Sequence, residues 1–121
     1  MIKKLPDAEL TIMLIIWQAG GNVNSAYIQK HLLGDKEWKL TSILTFLSRL
    51  VEKGFLSCQK EQRNNIYAPL ISQKEYLAQE SKSFLKKLYG NSFTSLVSNL
   101  YDSKAIDKDD LAELQLFINE K

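Results

Sequence analysis

Four polar side chains in one predicted helix, about residues 40 to 53, have the chemistry to hydrogen-bond to a charged polymer. They are Thr41, Ser42, Thr45 and Arg49. They fall largely outside the apolar stripe of the same helix, which consists of Ile43, Phe46, Leu47 and Leu50. Short hydroxyl side chains near the start of a helix and an arginine two turns later can reach phosphates and base edges in a major groove. The pattern indicates a recognition helix with Arg49 as its strongest contact; a solvated helix face is the alternative.

Three lysine and arginine side chains accompany this helix. Lys39 directly precedes it, and Lys60 and Arg63 lie in or beside a polar stretch further along the chain. Long cations at these positions would contact phosphates and hold the register of the protein on a duplex without reading its sequence. A charged, solubilising turn is the alternative interpretation of Lys60 and Arg63.

Other residue types that often carry chemistry have no such pattern. His31 is the sole histidine and has no triad or metal companion near it in sequence, and Trp17 and Trp38 are predicted to pack in the core. Cys58 is the only cysteine, so one chain can form no internal disulfide or thiolate metal cluster, and we expect an inert residue in a strand. The sequence therefore predicts a protein that is not an enzyme and needs no cofactor or metal.

Two helices are predicted before the candidate recognition helix. The first runs from Asp7 to the glycines at 20 and 21. Its helically spaced apolar residues, expected to face the core, are Leu10, Met13, Leu14 and Trp17. Asn24 begins the second helix and Gly34 closes it, while Val23 is suited to a short extended segment between the two helices.

Two short extended runs follow the recognition helix, Phe55 to Lys60 and Ile66 to Leu70. The five polar residues between them, 61 to 65, predict a β-hairpin with a flexible tip. Three helices followed by a hairpin is the element order of a winged helix. The sequence therefore predicts a mostly α fold with a small β-hairpin: a winged helix-turn-helix DNA-binding domain over residues 1–71 and a helical dimerisation region over residues 72–121.

Three further helices are predicted after the hairpin. Ser72 and Glu75 form a capping box for a helix that runs to about Tyr89, and Ser92 and Asp107 are suited to begin the last two helices. The apolar faces of these last helices cannot both be buried in so small an appendage, which favours a homodimer. The expected dimer contacts are Leu96, Leu100, Leu111, Leu114 and Ile118. Folding of these helices back onto the winged helix in a monomer is the alternative.

Charge is distributed unevenly along the 121 residues, although the formal net charge is only +2. Residues 39 to 69 contain five lysines and arginines against two acids, whereas residues 101 to 121 contain three lysines against six acids. A basic middle and an acidic tail suit a protein that offers one surface to phosphate. So short a chain also has little interior for a deep catalytic cavity.

The longest apolar run, from Ile12 to Trp17, is far shorter than the roughly 20 residues that a membrane-spanning helix needs. The N-terminus has no segment of the kind that is cleaved on export. We therefore expect a cytoplasmic protein with no membrane partner.

Nearly the whole chain carries an ordered set of segments that is characteristic of one family. The segments are Ala8-Glu9-Leu10 through Ile16-Trp17, Trp38 with Thr45 to Gly54, Ile66-Tyr67-Ala68-Pro69-Leu70, and Tyr76 to Tyr89. In these segments the chain resembles the penicillinase-repressor family of bacterial regulators, which includes β-lactamase, methicillin-resistance and copper-responsive repressors.

This resemblance implies a dimeric repressor of a promoter for resistance or stress genes, with an upstream sensor or protease as a further partner. In several members, repression is relieved by proteolysis at an Asn-Phe bond in the dimerisation segment. The similar bond here is Asn99–Leu100, in which leucine replaces phenylalanine. The chain also has Lys39-Leu40-Thr41-Ser42 where the family often has Ser-Pro-Lys-Thr, so we expect a different operator. It lacks the C-terminal cysteine cluster of the copper-responsive members, which excludes copper sensing by that route.

The predicted function is thus a homodimeric repressor that binds double-stranded DNA at a palindromic promoter operator. The alternative is a winged-helix module that uses the same basic face to bind an acidic protein.

Overall fold

The computed structural model describes residues 2–32 and 38–121. Its helices are α1 (Asp7–Ala19), α2 (Ser25–His31), α3 (Leu40–Glu52), α4 (Gln73–Tyr89), α5 (Phe93–Asp102) and α6 (Lys108–Glu120). Its strands are β1 (Leu56–Glu61) and β2 (Asn64–Pro69), which form an antiparallel hairpin. This element order confirms the predicted mostly α fold with a small hairpin. The predicted end of the second helix at Gly34 lies outside the described residues.

The chain forms two compact units, residues 1–79 and residues 80–121. We call them the first unit and the second unit. The division falls within α4, so the first turns of that helix belong to the first unit. The functional division after residue 71, into a DNA-binding domain and a dimerisation region, stays a prediction.

The first unit has a continuous apolar core that α1, α2, α3 and the hairpin all supply. Its fully buried large side chains are Ile12, Met13, Ile16, Ile28, Ile43, Leu47, Leu50, Phe55 and Leu56. Tyr76, in the first turns of α4, joins this core: its ring packs against Trp17 and Phe55, and its hydroxyl accepts a 2.9 Å hydrogen bond from the backbone N–H of Leu5.

The inward face of α1 differs from the predicted one. Ile12, Met13 and Ile16 are buried, whereas Leu14 is 42% exposed. The prediction of Leu14 as a core residue was wrong because the segment is apolar on nearly every side, so periodicity could not select one face. Trp17 does pack as expected, and its indole N–H donates a 2.9 Å hydrogen bond to the carbonyl oxygen of Ile71.

The hairpin turn is tighter than predicted. Leu56 pairs with Pro69 and Glu61 pairs with Asn64, so only Gln62 and Arg63 remain in the turn. The expected flexible five-residue tip was wrong, because the polar residues on either side continue the strands. Gln62 has a positive φ of 56°, as the first central residue of some tight hairpin turns must.

Val23 forms a short extended segment, as predicted, and this segment pairs with the hairpin. It exchanges two backbone hydrogen bonds with Tyr67, of 3.1 Å and 2.8 Å. The loop between α1 and α2 is thereby tied to β2.

The second unit has well-formed helix ends but no buried residue. The side chain of Ser92 accepts from the N–H of Ser95 at the start of α5, and Asp107 and Asp110 form a reciprocal capping box at the start of α6. None of residues 80–121 is buried. The ends of α5 and α6 are therefore fixed by side chains close in sequence, while the apolar residues of these helices remain at least partly exposed to solvent.

Candidate nucleic-acid interface

The outward face of α3 consists of short polar side chains, one arginine and, at the last residue of the helix, one acid. Its exposed polar residues are Thr41, Ser42, Thr45, Ser48, Arg49 and Glu52. Ile43, Leu47 and Leu50 on the opposite face are completely buried, which sets the rotation of the helix about its axis. The structure therefore brings all four predicted recognition residues to the solvent side of one helix.

Arg49 is held by an aromatic pair at the base of this face. Its guanidinium carbon lies 5.9 Å from the centroid of the Phe46 ring, within cation–π range. Phe46 in turn packs edge-on against Trp38, with ring centroids 5.5 Å apart. Phe46 and Trp38 are both half-buried, so the guanidinium lies against an aromatic ring that is itself packed, while the Arg49 side chain stays exposed.

The hydroxyl groups of α3 are not equivalent. Thr45 donates a 3.0 Å hydrogen bond to the backbone carbonyl of Thr41, one turn earlier. Its oxygen therefore remains an acceptor, suited to a base amino group, while its proton is occupied inside the helix. Lys39 occupies the N-cap position of α3, with an exposed side chain at the end where α3 begins.

The two hairpin cations lie at or near the tip of the wing. Arg63 is the second residue of the turn, and Lys60 pairs with Asn65 one position inside the β1–β2 ladder. Both side chains are exposed. Glu61 lies between them in sequence, so the tip presents a mixed charge rather than a purely cationic one.

Lys53 contributes less positive charge to this surface than the sequence indicates. Its ammonium group forms an ion pair with Glu9 of α1, and the carboxylate side chain is only 3% exposed. The pair links the C-terminal end of α3 to the first turn of α1. Lys53 therefore positions the recognition helix, a role that the sequence analysis missed because it joins residues 44 positions apart.

Cys58 lies in β1, as predicted, and its side chain is exposed. It pairs across the hairpin with Tyr67. Burial raises the pKa of the Tyr67 hydroxyl, and the neighbouring Cys58 thiol raises it further.

His31 lies on the surface of α2, as predicted. Its Nδ1 is 2.9 Å from the carbonyl oxygen of Tyr27, and its ring stacks on the Tyr27 ring. No group of three or more metal-binding side chains occurs among the residues that the structure describes.

Two exposed leucines on α3 were also missed. Leu40 is 43% exposed and Leu44 is 39% exposed, although the other aliphatic residues in the first two turns of the helix are buried. The signal was present in their spacing, since residues 40 and 44 share a helix edge outside the stripe of residues 43, 47 and 50.

Three helices, a hairpin and the short Val23 segment define a winged helix, with α3 in the position of the recognition helix. Across residues 2–32 and 38–121, no helix has both the length and the apolar character to cross a bilayer.

A family model described as "Penicillinase repressor" matches residues 5–120. The chain belongs to this penicillinase repressor family, whose members are transcriptional repressors and not enzymes. The penicillinase repressor of Bacillus licheniformis is 33% identical over 98% of this chain and 94% of its own length. The methicillin resistance regulatory protein MecI of Staphylococcus aureus strain N315 is 29% identical over 98% of this chain and 95% of its own length.

Solved structures are similar to a little less than two thirds of the chain. The DNA-binding domain of the repressor BlaI matches with a TM-score of 0.54 and 36% identity, over 63% of this chain and 92% of that domain. The monomeric form of Bacillus licheniformis BlaI in complex with the blaP half-operator matches with a TM-score of 0.52, at the same identity and coverage. The fold and the family are therefore those expected from the sequence.

Proposed function

We propose that this protein is a homodimeric bacterial transcriptional repressor that binds a palindromic promoter operator, one half-site to each subunit. The observation that carries the proposal is the outward face of α3, where exposed hydroxyl groups lie next to Arg49, whose guanidinium lies over the Phe46 ring. The similar monomeric form of BlaI was solved in complex with the blaP half-operator, which supports DNA as the partner of this face. Repression would follow from occupation of the promoter in the cytoplasm.

The proposed division of labour within one half-site follows from position on the fold. Thr41, Ser42, Thr45 and Arg49 face the major groove, where base edges carry the sequence information. Lys39, Lys60 and Arg63 contact phosphates from the start of α3 and from the wing. If about four to six phosphates are neutralised per dimer, the logarithm of affinity should fall with the logarithm of salt concentration with a slope of about −4 to −5.

The second unit is the proposed dimerisation region. Leu96, Leu100, Leu111 and Leu114 are half-buried within the unit, and Ile118 is exposed. An open groove of about 350 Å³ lies between α5 and α6, lined by apolar side chains that include Phe93, Val97, Tyr101, Leu111 and Leu114. A second chain would bury these surfaces, and two linked half-sites would then bind with a greater effective concentration.

We also propose that cleavage of the Asn99–Leu100 bond relieves repression, under the control of an upstream sensor or protease. The bond lies inside α5, and the Asn99 side chain donates a 2.7 Å hydrogen bond to the hydroxyl of Tyr89. A protease would therefore need α5 to open locally before it could cut. The cut would separate α6 from the remainder of the dimerisation region. By analogy with the relatives, the controlled gene would serve β-lactam resistance or a stress response.

The test is a gel-shift titration of purified protein on DNA from the promoter upstream of its own gene, with excess unrelated duplex and at two salt concentrations. Arg49→Ala is expected to weaken specific binding by about 1 to 3 kcal/mol, because it removes a base or phosphate contact. Lys86→Ala, at an exposed cation in the last turn of α4, is the matched control and should bind as wild type does. Binding that disappears entirely with competitor would instead support the protein-interaction module as the function.

A further inference from the structure

The exposed leucines of α3 form a narrow apolar edge beside the proposed DNA-reading face. Leu40 and Leu44 are one turn apart on the same side of the helix. With about 3.6 residues per turn, this edge adjoins Thr41 and Ser48, while Ser42 and Arg49 lie on the opposite border of the polar face. The face that meets DNA is therefore asymmetric, apolar along one border and polar or cationic along the other.

Exposed leucine side chains at a protein–DNA interface have one apolar partner among the base edges. Nearly every group on the floor of the major groove is a hydrogen-bond donor or acceptor, and the exception is the C5-methyl group of thymine. An aliphatic side chain gains free energy by covering that methyl group and gains nothing comparable at the other base edges.

The charges around this edge favour DNA over a protein as the partner. Residues 38–51 contain Lys39 and Arg49 but no aspartate or glutamate; the acids nearest to this segment in the sequence are Glu37 before it and Glu52 at the C-terminal end of the helix. Two leucines flanked by hydroxyl groups are also narrower than the broad apolar patches that usually mark protein interfaces.

We propose that Leu40 and Leu44 are specificity-determining residues that contact thymine C5-methyl groups in each operator half-site. This inference rests on the proposed function, since it assigns part of the sequence preference of the same face. Leu44 lies one turn inside the helix, next to the polar stripe, and is the residue to test first.

The experiment replaces thymine by deoxyuridine, which removes only the C5-methyl group. The probe is a duplex that the wild-type protein selects from a random pool, with each thymine of a half-site replaced in turn. The wild-type protein should bind about threefold to fivefold more weakly when the contacted thymine is replaced, the effect of one buried methyl group. Leu44→Ala should weaken binding to the thymine duplex and bind the thymine and deoxyuridine duplexes equally well at that position.

Two variants keep this test decisive. Leu44→Met retains an apolar side chain and should retain the deoxyuridine penalty, while Leu14→Ala removes a leucine of similar exposure on α1 and should retain it as well. Equal penalties in wild type and Leu44→Ala, or no penalty in wild type at any thymine, would overturn the inference. Failure of the proposed function looks different: the wild-type protein would then select no duplex from the pool.

Discussion

The two units of this chain obey the same local rules but differ in how they are stabilised. In the first unit, helices and hairpin converge on a continuous core, with residues such as Ile12, Ile43 and Leu47 completely buried. In the second unit, α5 and α6 have well-made caps, yet no residue from 80 to 121 is buried. Local sequence is thus sufficient to form helices in both units, but only the first unit removes enough apolar surface from water within one chain.

This difference matches the division of labour that we propose. A rigid core holds α3 in a defined orientation, which a site that reads base edges requires. Large apolar side chains in the second unit remain available for a partner, and they include Phe84, Leu88, Phe93, Leu116, Phe117 and Ile118. A unit that depends on association for its stability is also a suitable target for a signal that ends repression.

Leu47→Ala is expected to have the largest effect on stability, because it leaves a cavity in the core of the first unit. We expect a loss of about 2 to 5 kcal/mol in the free energy of unfolding, measured by urea denaturation monitored through tryptophan fluorescence. Leu14→Ala, at an exposed position on α1, is the control and should cost much less. Equal losses in the two variants would contradict the assignment of the core.

Phe117→Asp should weaken the association of two chains through the second unit without changing the stability of the first unit. Phe117 is 55% exposed, and a carboxylate at that position would be buried unpaired in the proposed dimer interface. We expect the dimer dissociation constant to rise at least about tenfold in sedimentation equilibrium. The unfolding midpoint of the first unit should change little.

Gln115→Asp adds the same charge to the same helix at an exposed polar position, and is the matched control. If Phe117→Asp left the dissociation constant unchanged, Phe117 would lie outside the dimer interface.

Lys53→Met tests whether the ion pair with Glu9 positions the recognition helix. The Glu9 carboxylate would remain buried without its partner, and because Lys53 is itself partly exposed we expect a loss of about 2 kcal/mol. The measurement is thermal unfolding together with DNA affinity. Lys86→Met, at an exposed lysine, is the control and should unfold like wild type.

A double variant, Glu9→Gln with Lys53→Met, sharpens this test because it removes both charges. It should recover part of the lost stability. If the loss in unfolding free energy of the double variant equals the sum of the losses of Glu9→Gln and Lys53→Met measured singly, the two residues are not coupled.

The smallest expected effect is the loss of stability at the starts of α4 and α6 when their capping carboxylates are protonated at low pH. Hydrogen bonds from the Ser72 backbone and side chain lower the pKa of the Glu75 carboxyl, and the backbone N–H of Asp110 lowers that of Asp107. Carboxyl groups with lowered pKa values stabilise the folded state above their ordinary pKa, and this contribution is lost as pH falls through the folded value.

We therefore expect smaller protection factors against amide exchange in the first turns of α4 and α6 as the pH falls below about 4. The comparison at each pH is with Asp107→Asn, which should show little of this pH dependence at α6. An unchanged exchange rate in wild type, after correction for intrinsic exchange, would contradict the role of the carboxylate caps.

Much of this architecture was predictable because its signals are local. The capping box at Ser72 and Glu75 was predicted and is present, with hydrogen bonds of 3.1 Å in both directions. The buried stripe of α3 and its outward polar face were also predicted, because one strongly amphipathic helix has a single stable way to face a core. Agreement between caps and periodicity made these elements predictable from a single chain.

Other features depend on residues that are distant in sequence. Periodicity could not choose the inward face of α1, since Leu14 and Met13 are equally apolar and only the packed neighbours distinguish them. The length of the hairpin turn follows from strand pairing at Glu61 and Asn64, which polar composition conceals. Tyr76 is buried because it meets Leu5, Trp17 and Phe55 in space.

The amino-acid sequence alone therefore determined the helices, several of their caps, the family and the polar face of α3, since these depend on spacing within a few turns. The tertiary structure decided which cations remain exposed, how Arg49 is held against Phe46, and that Leu40 and Leu44 face solvent beside the polar stripe. These outcomes depend on which side chains are buried in a small, closely packed core. Burial of each side chain is decided only when all the elements of the first unit pack together.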